Sequence, residues 1–160
     1  MDDILRILKS NAAMPPAKIA KLVNQSEEEV VKKIKAWEED GTILGYTTVV
    51  NPEKLHDNQQ VMAMIEVKIT PEREGGFDRV ARRISQFSEV KSCYLMSGGF
   101  DLLVTVEGSD LRQVAGFVAE RLATIQGVLS TGTHFILKPY KQQGVNFLPE
   151  QTVERLNVTP

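Results

Sequence analysis

The residues most able to do chemistry lie in "NQSEEEVVKKIKAWEEDG", residues 24–41, where Glu27, Glu28 and Glu29 precede Lys32, Lys33 and Lys35. Lysines on one side of a short helix can neutralise phosphates, and a carboxylate can accept from cytosine N4. The remaining reactive residues are scattered. His56 sits in a polar stretch and His134 in an extended one, with no acid or nucleophile at a telling spacing. Cys93 lies in "VKSCYLM" and reads as a small core residue. Glu38, Glu39 and Asp40 read as a solvated helix end rather than a metal site, and Arg79, Arg82 and Arg83 as the wet side of a helix. No P-loop, dinucleotide or zinc motif is present. No catalytic residue, metal site or cofactor is expected.

At 100° per residue from Ser26, the residues Val30, Ile34 and Trp37 share a buried face, with Lys33 at its edge. The opposite face collects Glu28, Val31, Lys32, Lys35 and Glu39. Ser26 and Glu29 form S-x-x-E, a capping box in which serine binds a free backbone N–H and glutamate reaches back. Acids at this end also meet the positive end of the helix dipole. Glu29 is therefore expected in the cap and Glu27 toward the body, leaving Glu28 to face a groove. Lys32 and Lys35 would contact phosphate or guanine, while Lys18 and Lys21 on the preceding helix anchor the backbone. Ser26 and Val31 complete the candidate DNA-contacting set. On these residues alone a DNA-binding head and a generic helical interaction domain both remain open.

Several elements must hold that helix in place. The chain has 160 residues, 42% hydrophobic and 25% charged, an ordinary globular composition. Its formal net charge of −2 supplies no global basic field. One cysteine excludes an internal disulfide and a cysteine-based zinc cluster. No apolar run approaches the ~20 residues of a membrane span. "MDDILRILKS" places acids before its apolar residues, the reverse of a secretory signal, so no membrane partner and a cytoplasmic location are expected. Up to residue 45 the apolar residues recur at helical spacing, broken by "NAAMPP" and "VNQS" and closed by Gly41. Three short helices are predicted, followed by a brief extended piece over "TILGYTTVV".

"NPEKLHDNQQ", residues 51–60, reads as a linker. Beyond it, strands are predicted at 61–70, 89–98, 100–108 and 128–138, with helices at 77–87 and 110–125. Residues 61–98 and 100–137 form a faint repeat of strand, helix and strand. The order β-α-β-β-α-β is the ferredoxin-like arrangement, with both helices on one sheet face. The other face is expected to be apolar and to pair with a second copy, giving a homodimer. The fold class is α+β: an N-terminal three-helix helix-turn-helix domain over 1–50, winged-helix-like, with its motif at about 16–35, then a ferredoxin-like domain over 61–141. Residues 142–160 are expected to be a C-terminal tail with no clear period, in which Val145, Phe147 and Leu148 could dock on a partner.

The stretch "PPAKIAKLVNQSEEEVVKKIKAWEEDGTILGYTTVVNPEKL" resembles the helix-turn-helix of the Lrp/AsnC (feast/famine) regulators. The match lies at Ile19-Ala20, Ser26, Val30, Lys32-Lys33, Ile34, Glu38, Gly41, Ile43, Gly45 and Tyr46. "SGGFDLLVTVEG" and "GVLSTGTHFIL" are similar to that family's regulator-of-amino-acid-metabolism (RAM) domain, so the resemblance runs from about Asp3 to Lys141. There are departures: Trp37 stands for the usual leucine, lysines replace the commoner arginines on the recognition helix, and its acidic start is dense. Lysine lacks the bidentate guanine geometry of arginine.

The resemblance implies a transcription regulator that binds double-stranded DNA and responds to an amino-acid effector held between dimers. It also implies homodimers grouped into tetramers or octamers. Carried over by residue, the effector site falls on Ser97, Gly98, Gly99, Asp101, Thr131 and Thr133. Glycine N–H groups could meet a carboxylate, and Asp101 an ammonium. The plainer reading is a hairpin turn at Gly98-Gly99 that Asp101 merely braces. The rival function is an oligomeric amino-acid-binding or assembly protein with weak or no DNA binding.

Overall fold

The computed structural model describes residues 1–55, 60–70 and 76–148. They form two compact units, the first Met1–Val50 and the second beginning at Asn51. His56 lies outside the described residues, as does the part of the expected tail from residue 149 onward. Among the described residues no helix is long and apolar enough to cross a membrane.

The first unit holds α1 (Asp3–Ser10), α2 (Pro16–Val23) and α3 (Glu27–Glu39). Each start follows from local chemistry. Asp2 caps α1 by accepting from the Ile4 N–H at 2.8 Å, and Pro15 and Pro16 open α2, where a missing N–H costs nothing. Asn24 ends α2 in the left-handed region, φ 52°, one of the few non-glycine residues that tolerate it. Ile4, Ile19 and Val30 are fully buried together, one from each helix, and Trp37 and Ile34 pack on them from α3. Burying each such aliphatic side chain contributes about 1.5–3 kcal/mol. The expected extended piece over 42–50 joins no strand ladder, so the unit has no paired wing.

The second unit is the predicted β-α-β-β-α-β. Its elements are β1 (Val61–Ile69), α4 (Asp78–Ser85), β2 (Val90–Leu95), β3 (Leu102–Gly108), α5 (Leu111–Gly116) and β4 (Val128–Phe135). The antiparallel sheet runs β2-β3-β1-β4. Ala63, Ile65, Val67 and Ile69 of β1 alternate with Leu102, Val104 and Val106 of β3 in the core, against Val80 and Ile84 of α4. Gly108, the last residue of β3, leaves room for α5, since a Cβ there would meet the Gln113 and Val114 side chains at 2.9 Å.

The expected helix over 110–125 changes pitch: residues Phe117–Leu122 continue α5 as a π-helix, with Ala123 N–H bonded to the Val118 carbonyl. The wider turn places Phe117, Val118 and Leu122 all in the core. Phe117 meets Phe87 edge-on at 5.4 Å, and Arg121 covers the Phe87 ring while pairing with Glu89 at 2.6 Å.

Three expectations need correction. The linker begins as a 3-10 turn, Pro52–Lys54, tied to the second unit by Glu53 and Lys138 at 2.9 Å. The start of the expected tail carries a hairpin, in which Lys141–Gln142 (β5) and Val145–Asn146 (β6) pair through Gln143 and Gly144, both at positive φ. Finally, the sheet face away from the helices is mixed rather than apolar. Met62, Met64 and Tyr94 share it with Ser92 bonded to Thr105 at 2.8 Å, Lys91 near Glu107 at 3.6 Å, and His134 Nε2 near Glu66 at 3.3 Å.

Asp2 joins α1 to α3, since its carboxylate also lies 3.3 Å from Lys33 Nζ. The Ile4 N–H chiefly, and Lys33 next, hold the Asp2 carboxyl below its ordinary value of 3.8. A depressed carboxyl contributes stability that is present above the unfolded value and lost as pH falls through the folded one. Melting of the first unit should therefore weaken below about pH 4. Asp2→Asn, which keeps a capping oxygen without the charge, should flatten that acid limb in a melting series from neutral to acid pH.

Candidate nucleic-acid and effector sites

The turn between α2 and α3 aims the first candidate site. Asn24 and Gln25 both return their N–H groups to the Ala20 carbonyl, and Ser26 then caps α3. Ser26 Oγ accepts from the Glu29 N–H at 3.2 Å, and Glu29 Oε2 accepts from the Ser26 N–H at 2.9 Å. The Ser26 hydroxyl also donates to Glu29 at 2.9 Å. These bonds, the Ser26 N–H first, hold the Glu29 carboxyl below its ordinary range. One of the leading acids is thus committed to the helix itself. Ser26, assigned to DNA contact from sequence, has its hydroxyl spent in the same cap.

Val30 is fully buried, and this fixes the rotation of α3. Glu28, Lys32 and Lys35 are exposed at i, i+4 and i+7, hence on one side, with Val31 half-buried beside them. Lys18 and Lys21 of α2 are exposed as well. Lys33 differs from its neighbours because it turns to Asp2. Glu27, Glu28 and Glu29 are all exposed, with Glu29 bonded back into the cap.

Past α3, Gly41 at φ 78° reverses the chain and Asp40 accepts from the Thr42 N–H at 2.8 Å. The Tyr46 hydroxyl donates to Glu38 at 2.7 Å, and this carboxylate raises the phenol's pKa. Both residues belong to the pattern that resembles the helix-turn-helix family, which does not itself imply the bond. Their spacing of eight across a glycine turn was the available signal.

The second candidate set lies at one end of the sheet. Met96 N–H bonds the Asp101 carbonyl at 2.8 Å, so β2 and β3 are joined by the loop 97–100, not by a two-residue turn at Gly98-Gly99. Ser97, Gly98 and Gly99 are exposed, and Gly98 at φ 147° holds a conformation that favours glycine. Asp101 is tied down on both sides. Its N–H donates to the Val67 carbonyl at 3.0 Å, and its Oδ2 accepts from the Ile69 N–H at 2.8 Å. The carboxylate thus continues the β1–β3 ladder past its last residue pair, level with the register shift at which Leu129 of β4 is the extra residue opposite Lys68 and Ile69. The bracing is of β1 and not of the loop alone.

Leu102, Val67 and Thr131 form one row across β3, β1 and β4. Thr131 therefore lies two strand spacings, about 10 Å, from the strand that Asp101 begins. Thr133 is one pleat further along, opposite Ile65. Ser97 through Asp101 are brought together, while the half-buried threonines stand across β1 from them.

Residues 62–145 match the model of the Lrp/AsnC ligand binding domain. A helix-turn-helix transcriptional regulator of Bacillus subtilis, YugG, is 42% identical over 158 residues, covering 99% of this chain and 95% of the relative. The chain belongs to the Lrp/AsnC family of transcriptional regulators. LrpA of Pyrococcus abyssi, another such regulator, is 33% identical and aligns over 86% of this chain and 94% of its own length. A transcriptional regulator of Neisseria meningitidis solved as a complex with L-methionine superposes with a TM-score of 0.69 at 25% identity, covering 91% of this chain and 92% of that one. Lrp/AsnC proteins are regulators and not enzymes, and this chain is one of them.

In this Lrp/AsnC chain Asp101 has a structural duty, whatever else it contacts. Ile69 is buried, so removing the acceptor leaves its N–H without a partner, at a cost of about 1–3 kcal/mol. Asp101→Ala should lower the denaturation midpoint accordingly, and Asp101→Asn, which keeps an oxygen, should restore most of it. Equal stability of Asp101→Ala and the parent chain would refute the bond's importance.

Proposed function

We propose that this regulator reads double-stranded DNA in sequence-specific fashion with α3, as a homodimer, and that an amino acid bound near the 97–101 loop between dimers tunes it. The observation that carries this reading is the side of α3 that holds exposed Lys32 and Lys35 while Glu29 is withdrawn into the cap. Lys32 and Lys35 supply phosphate or guanine contacts, Lys18 and Lys21 hold the backbone, and Glu28 discriminates by accepting from cytosine. Val31 offers an apolar edge to a thymine methyl. Ser26 contributes by holding the helix end.

Homodimers form through the open sheet face, where Met62, Met64 and Tyr94 supply apolar area around polar pairs. Dimers then group into tetramers or octamers, with the effector's glycine N–H, Asp101, Thr131 and Thr133 partners drawn from more than one chain. That division suits residues which a single protomer leaves about 10 Å apart. The L-methionine complex of the Neisseria regulator supports the ligand class. An effector works here only if it binds one assembly better than another.

The test is a gel shift on the DNA upstream of the chain's own gene, titrated with salt. Affinity should fall steeply with salt, and Lys32→Ala and Lys35→Ala should each weaken binding and reduce the log–log slope by about 1. Oligomer size should stay unchanged. If neither variant alters the shift, the face assignment is wrong. If the parent chain binds no duplex while still binding amino acids, the assembly-protein alternative replaces it.

A further inference from the structure

One ionisable pair on the open sheet face serves neither site above. Glu66 of β1 and His134 of β4 are diagonal neighbours, since Glu66 stands opposite Gly132 and His134 opposite Met64. His134 Nε2 lies 3.3 Å from Glu66 Oε1, and both side chains are accessible. A charge-assisted hydrogen bond is shorter, about 2.7–2.9 Å. Two donors that share a tetrahedral zinc, each bonded at ~2.0–2.1 Å, stand about 3.3 Å from one another. The pair already has the spacing of two ligands on one metal.

Gly132 supplies the room. It carries no side chain over the face, and a Cβ there would have Glu66 Oε2 and His134 Nε2 as neighbours, each at 3.9 Å. The notch above Gly132 is therefore walled by a carboxylate oxygen and an imidazole nitrogen. Among the described residues no protomer gathers three His, Cys, Asp or Glu side chains that could hold a metal. One chain offers half of a four-ligand set.

A second copy on the same face offers the other half. A twofold interface is self-complementary, so a pair close to its axis faces its own copy. Burying two Glu66 carboxylates there is costly unless their charge is offset, and neutral imidazoles do not offset it. A single divalent cation does. Imidazole with carboxylate suits zinc and its transition-metal neighbours, whereas magnesium and calcium favour all-oxygen sets.

We propose that Glu66 and His134 of two protomers together bind one zinc-like divalent cation over the Gly132 notch. The inference rests on the open-face homodimer proposed above and adds a metal-dependent control of that assembly.

The test uses the full chain, stripped with EDTA and desalted, with cobalt(II) chloride as the probe. Four-coordinate cobalt(II) absorbs strongly in the visible, unlike the aqueous ion. Bands should grow to an end point of one cobalt per two chains, and zinc chloride should bleach them. Glu66→Gln and His134→Gln should each abolish the bands. Gly132→Val, which keeps both ligands and fills the notch, should abolish them too. Each variant should melt like the parent in EDTA.

Sedimentation of the stripped chain separates this inference from the dimer itself. A stripped dimer that develops no cobalt bands overturns the metal site and leaves open-face pairing standing. A monomer both with and without metal overturns the two together. Bands that saturate at one cobalt per chain, or that survive in both Glu66→Gln and His134→Gln, overturn the shared site.

Discussion

A helix start leaves backbone N–H groups without partners, and at α3 the reciprocal bonds between Ser26 and Glu29 meet that need. Much in the first unit depends on this. The cap sets where α3 begins, Val30 sets its rotation by burial, and Asp2 ties Lys33 to α1. With those three constraints in place, Lys32 and Lys35 have no side available except the solvent one. The dense acid run is therefore compatible with a polyanion. Glu29 serves the helix, and the α3 dipole favours Glu27 and Glu28 where they stand.

The second unit uses the same device at a sheet end. Asp101 supplies the acceptor that β1 needs where its ladder stops, much as Glu29 supplies one at a helix end. Both are polar side chains completing backbone bonding at an element boundary. An effector that engages Asp101 would compete with, or share, the bond holding Ile69. Under the proposed function, ligand binding at the loop would be linked to the order of the sheet's end, a physical route from a small molecule to quaternary structure.

What was legible in the sequence was whatever burial writes as a period. Ile4, Ile19 and Val30 mark three helix faces, and the alternation of Ala63, Ile65, Val67 and Ile69 marks β1. The capping box was equally plain, because both of its partners sit three residues apart. Contacts set by backbone geometry were harder to read. The β5–β6 hairpin turns on Gln143 at φ 48°, and glutamine is not a residue that announces a left-handed turn. The π-helical Phe117–Leu122 keeps a helix-like apolar pattern, so its wider pitch is invisible until Phe117, Val118 and Leu122 are seen in one core. Asp101 was assigned from resemblance, and the row joining Leu102, Val67 and Thr131 sets Thr131 two strands across from β3.

The central claim is that the solvent side of α3 meets DNA. Lysine-selective acetylation, read by mass spectrometry with and without the upstream duplex, addresses it residue by residue. Labelling of Lys32 and Lys35 should fall on adding DNA, with Lys18 and Lys21 following, while exposed Lys54 and Lys141 of the second unit label as before. If the chain retards the duplex and yet Lys32 and Lys35 react at unchanged rates, DNA is held elsewhere and the account is wrong.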